Sequence, residues 1–224
     1  MTRFQTTLGQ RSAYAIASIA AIVCAICLEL FASVETRPVI GGFPLFPATI
    51  FAAGVGLLLI TFLEKRGASP QHPIRVSPKS AAKILLLGGI LALPPIMIDV
   101  AVGFPENLNL PLPDALFFYP GIALVAEVVF HLLPLALLSM FFLRTPTPPW
   151  LIWPVVVVEP IFQLSFLSGP SFLGLLVLAN VSLVSAAQLW LFQRHGFLVM
   201  IGLRLAFYFF WHIAWGQLRL VLLF

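Results

Sequence analysis

Seven long apolar runs, separated by short segments that hold most of the charge, dictate what this sequence can become. A helix that crosses the hydrocarbon core of a bilayer needs about 20 consecutive, mostly apolar residues. Runs of that kind extend over 13–33, 42–63, 82–103, 115–143, 172–192 and 197–215, with a shorter one over 151–167. Only 9% of the 224 residues are charged and 61% are hydrophobic, whereas a soluble domain carries about 25% charged residues. So few charges do not cover a water-facing surface, and a disordered chain would need far less apolar content. The expected fold is all-α: a polytopic transmembrane helical bundle of about seven spans, with residues 1–224 as a single integral membrane domain.

The scarce charges give an orientation, because Lys and Arg gather on the cytoplasmic side. With the N-terminus inside, Arg3, Arg11, Lys65, Arg66, Arg75, Lys79, Lys83, Arg144 and Arg194 fall there. Arg37 and Arg219 fall on the far side with Glu35, Glu106 and Asp114, and Arg204 stays in the membrane. The chain is therefore expected in a bacterial-type cell membrane with a cytoplasmic N-terminus. The first run is too long for a signal-peptide core and lacks a small-x-small exit. The short fifth run and the tail Leu218–Phe224 are also readable as re-entrant or interfacial pieces. The basic, Pro-interrupted loop Glu64–Ser80 suits anionic headgroups, so the first expected partner is the lipid bilayer. The pI near 9.5 does not point to nucleic acid, because no basic patch interleaved with aromatics stands in a soluble domain. Cys24 and Cys27 lie inside the first run and read as small packing residues rather than a redox or zinc pair.

Ionisable groups at membrane depth face the bundle interior and mark candidate sites. Glu29 and Asp99 sit near the ends of their runs, within reach of the interface. Glu127 lies mid-run with His131 four residues on, so both project from one helix face and can share a proton or orient a water. Glu159 and Gln163 repeat that spacing, and the sixth run carries Asn180, Ser182, Ser185 and Gln188. Arg204, Tyr208 and His212 form a polar stripe on an aromatic helix. Two readings stay open: a working site, or pairing of Glu127 or Glu159 with Arg204 that contributes specificity of packing rather than stability.

The order of these features resembles the CAAX-protease and bacteriocin-processing membrane endopeptidases (CPBP). That family has a Glu-Glu-x-x-x-Arg helix, a Phe-x-x-x-His helix and a last His-x-x-x-Asn/Asp helix. The stretch PGIALVAEVVFHLLPLALL is similar to the first, with Ala126 and Glu127 at the paired-Glu positions and His131 at the Arg position. IFQLSFLSGP is similar to the second, with Phe162 matching and Phe166 where the His belongs. QLWLFQRHGFLVMIGLRLAFYFFWH is similar to the third, with Arg204 in place of His and Tyr208 in place of Asn or Asp. The resemblance covers roughly residues 115–216, the region matching the protease core.

In that family a Glu assisted by a His activates water to attack a peptide bond, and a metal role has been proposed for some members. Here the first Glu, the Arg and both motif histidines are replaced, and no metal site is evident from the sequence. The resemblance then implies a pseudo-protease or atypical member acting in binding or assembly, with Glu159, Gln163, Asn180, Arg204 and Tyr208 as binding residues. Its expected partners are a membrane-anchored peptide or other membrane protein subunits. The alternative is an active intramembrane endopeptidase built from Glu127, His131 and His212, processing membrane-anchored peptides or prenylated proteins. A third reading is a proton-linked transporter using Glu127, Glu159 and Arg204 as a relay.

Overall fold

The computed structural model describes residues 9–32, 43–68, 70, 77–142, 146–165 and 172–224. Among these residues seven long or apolar helices form: α1 (Gln10–Phe31), α2 (Leu45–Lys65), α3 (Pro78–Val102), α4 (Asp114–Phe141), α5 (Pro149–Leu164), α6 (Phe172–His195) and α7 (Phe197–Leu222). No strand occurs among the described residues. An all-α bundle is what the apolar runs require, since only helices satisfy every backbone group within one segment in lipid.

Six of the seven are long and apolar enough to cross a membrane, and α5 is not. Its sixteen residues rise about 24 Å at ~1.5 Å each, short of a core about 30 Å thick. A break at Val157 and the prolines Pro154 and Pro160 interrupt it further. The expectation of seven crossings is thus narrowed to six plus a partial helix. Gln193 of α6 bonds the Pro149 carbonyl, and Ser185 bonds Glu159, so α5 lies antiparallel along α6. The tail, for which a re-entrant or interfacial piece is the alternative reading, continues α7 to Leu222.

Large apolar side chains point outward as well as inward, as lipid permits: Leu58 is 72% exposed and Phe141 81%. The main core gathers Tyr14, Ile60, Leu124, Leu132, Phe192 and Phe197 from five helices. Tyr14 also donates its hydroxyl to the Ala52 carbonyl at 2.7 Å, pinning α1 to α2. Arg11 pairs with Glu64 at 2.9 Å at the same end. There the turn between α6 and α7 rests on Gly196, whose φ of +85° favours glycine. Gln10 occupies the space a β-carbon would need at that position and accepts a hydrogen bond from the Phe197 amide at 3.0 Å.

Helices α3 and α7 run parallel and close. A β-carbon on Gly88 would lie 2.5 Å from the Ala206 β-carbon and 2.9 Å from the Phe207 backbone nitrogen, whereas one on Gly202 meets only Ile84 at 3.8 Å. Gly88→Val should therefore push the two backbones apart and cost about 1–3 kcal/mol. Gly202→Ala should leave stability within about 0.5 kcal/mol. Thermal unfolding of the two variants in detergent, followed by tryptophan fluorescence, checks the contrast; equal midpoints would disprove the close contact.

Candidate functional site: a closed ionic network between four helices

The polar residues of four helices converge at one point. Pro134 has no amide to close the α-helical bond to the Phe130 carbonyl, and just before it α4 widens into a π-helical turn over Glu127–Leu132. Glu127 and His131 share that turn, and both are 0% exposed. Glu159 enters from the second segment of α5, directly after the break at Val157. Ser185 and Gln188, three apart on α6, face the same point, and Arg204 and Tyr208 come from α7.

The guanidinium of Arg204 organises the contacts. Its Nε donates to Glu127 Oε1 at 2.7 Å. Its Nη1 donates to Glu159 Oε1 at 2.8 Å and to the Tyr208 hydroxyl at 3.1 Å. Its Nη2 donates to Glu159 Oε2 at 2.7 Å and to Gln188 Oε1 at 3.3 Å. A guanidinium has five N–H donors, and all five are engaged, two of them as a fork on one carboxylate. Glu127 is filled in the same way. Oε1 also accepts from the Gln188 amide, and Oε2 faces His131 Nδ1 at 2.6 Å. Ser185 completes Glu159 Oε2 at 3.4 Å.

Two carboxylates and one guanidinium meet here, with the His131 ring against Glu127. His131 Nε2 has no hydrogen-bond partner and lies 3.8 Å from Glu159 Oε2. Among the described residues, no three His, Cys, Asp or Glu side chains gather as a set able to hold a metal ion.

The other sequence-derived candidates fall at the edges of this network. His212 bonds Asn109 Oδ1 at 2.7 Å and stacks on Tyr119 with centroids 4.6 Å apart. It touches the network only through Tyr208, whose ring packs edge-on against it at 5.1 Å. His212 has its own π-helical turn, Phe209–Ala214. Gln163 is half-buried one turn beyond Glu159 and takes no part in the bonds just described. Asn180 is buried, and its Oδ1 has no hydrogen-bond partner. Phe162 packs on Phe130 at 4.9 Å, and Phe166 lies outside the described residues.

A second buried ion pair was not legible as one. Asp99 and Arg219, expected at the interface and in the far-side loop, are both 0% exposed and paired. Arg219 Nε and Nη2 grip Asp99 at 2.6 and 2.9 Å, and the remaining donors reach the carbonyls of Phe104, Pro105 and Glu106. The Trp215 indole and the Phe104 amide fill the other sites on Asp99. Asp99 precedes the Gly103 turn and Arg219 stands one turn after Trp215, but nothing in either spacing announces the partner.

Compared with protein-family models, characterised proteins and solved structures, the chain finds no match.

Removing Arg204 would strand two buried carboxylates. Arg204→Leu should cost about 3–5 kcal/mol, as breaking a buried ion pair from one side does. Arg204→Lys should recover only part of that, since an ammonium offers three donors from a single centre. Asp99→Leu should cost a similar about 3–5 kcal/mol by leaving Arg219 uncompensated. Thermal midpoints of the purified variants test these values; wild-type midpoints would refute them.

Proposed function

We propose that this integral membrane protein is a non-catalytic, atypical relative of the CPBP endopeptidases that acts by binding or assembly with membrane-anchored peptides or other membrane protein subunits. The observation supporting this reading is that Glu127 and Arg204, at the heart of the polar centre, have every oxygen and donor engaged. A general base must offer an oxygen to the water it activates. Both oxygens of Glu127 are already engaged by protein groups, and the side chain is shut off from solvent. Arg204 stands where the resemblance places a neutral histidine and spends four of its five donors on side chains of three other helices, the fifth on Tyr208 of its own. A cytoplasmic N-terminus and a bacterial-type cell membrane belong to the same proposal. Arg11, Lys65, Arg66 and Arg194 lie at one end of the bundle, and the parallel packing of α3 on α7 brings Lys79 and Lys83 to that end, which fits the positive-inside rule.

One observation favours the active reading: the Glu127–His131 contact at 2.6 Å is a carboxylate–imidazole pair of the kind a hydrolase uses. One experiment separates the two. The full chain, reconstituted in lipid vesicles with membrane-anchored peptides, prenylated and not, is followed for cleavage by mass spectrometry. Wild type and Glu127→Gln should yield the same background. Cleavage by wild type that falls about 100-fold or more in Glu127→Gln, the scale of a lost general base, would overturn the non-catalytic reading.

A further inference from the structure

A second candidate site lies apart from the ionic network, at the cation-rich end. A cavity of about 590 Å³ opens between the end of α2, the start of α5 and the end of α6. Its walls include Gly67, Thr147, Trp150, Trp153, Trp190 and Arg194, with one cation and no carboxylate among the described residues. This volume is within the range of about 300–1,000 Å³ typical of small-molecule sites. The walls are built rather than incidental. Gln193 ties α6 to the Pro149 carbonyl at 2.9 Å. The Thr147 amide and hydroxyl both bond the Arg66 carbonyl, at 2.9 and 3.0 Å. Trp150 is braced edge-on by Phe142 at 5.2 Å.

The chemistry of the lining selects the occupant. The Arg194 guanidinium lies 4.4 Å above the Trp190 ring, so one face is held by the aromatic and its N–H edge is free to fork onto a phosphate. Tryptophans favour the headgroup level of a bilayer, and Trp150, Trp153 and Trp190 are 51%, 61% and 44% exposed. From Trp153 an exposed stripe of Val157 and Ile161 continues along α5, the helix too short to cross. A headgroup in the cavity would therefore have an apolar track for its acyl chain, which free phosphate does not need.

We infer that this cavity binds the phosphodiester headgroup of an anionic phospholipid, with Arg194 on the phosphate and the acyl chains along α5. The test uses the full chain in nanodiscs of equimolar phosphatidylglycerol and phosphatidylcholine, with bound lipid read by native mass spectrometry. Wild type should retain phosphatidylglycerol about fivefold over phosphatidylcholine, as about one near-surface cation provides. Arg194→Gln and Trp190→Ala should each abolish the preference, and Arg194→Lys should keep part of it. Arg194 is exposed, so its replacement leaves the folded elution profile unchanged. Equal retention of both lipids, a preference that survives Arg194→Gln, or displacement of the lipid by millimolar inorganic phosphate would each overturn the inference.

Discussion

One guanidinium in a medium with no water decides how this bundle is assembled. Arg204 must fill five donor positions inside the protein, because an unpaired buried charge costs far more than a neutral polar group. It does so by drawing Glu127 from α4, Glu159 from α5 and Gln188 from α6 onto α7. Helix α5 depends on this most. It is too short to be fixed by the thickness of the bilayer, and Glu159 ties its middle to the centre of the bundle. The attraction within such a cluster is offset by the desolvation of its members, so its role is to select one arrangement of four helices over others that pack equally well.

The same solution is repeated near the C-terminal end of α7. Arg219 also engages five donors, but three of its acceptors are loop carbonyls after α3 rather than helix side chains. Between the two arginines the backbone passes through the π-helical turn that holds His212. Such turns concentrate at functional positions in helices, and both found among the described residues contain a histidine. Helix α7 thus carries a fixed ion on each side of its π-helical turn. The parallel contact at Gly88 keeps α3 close enough for Asp99 to meet Arg219.

The all-α fold and the long helices could be read from the apolar runs, because bilayer thickness imposes a length that composition reveals. Glu127, Glu159 and Arg204 were visible as deep ions, and pairing of either acid with Arg204 was one reading. The structure uses both acids on one guanidinium, which spacing within a helix does not convey. Gln188 and Ser185 were visible only as polar residues on α6, since which face of that helix turns inward depends on its neighbours. Asp99 and Arg219 were obscured for a different reason. At the ends of apolar runs, a charge bound for water and a charge bound for a buried partner have the same local sequence. His212 shows the converse: its four-residue spacing from Tyr208 suggested the site, but its ring turns to Asn109 in the loop before α4.

The Asp99–Arg219 clamp also sets a timetable for making the protein. The two residues are 120 positions apart, so at about 5–20 residues per second a nascent chain exposes Asp99 for about 6–24 s before its counter-ion is synthesised. During that interval the carboxylate near the end of α3 lacks the guanidinium that pairs with it in the folded bundle. Glu127 waits in the same way for Arg204, 77 residues later. The counter-ions of the buried acids of α3 and α4 are thus both supplied by α7, which follows them in the chain.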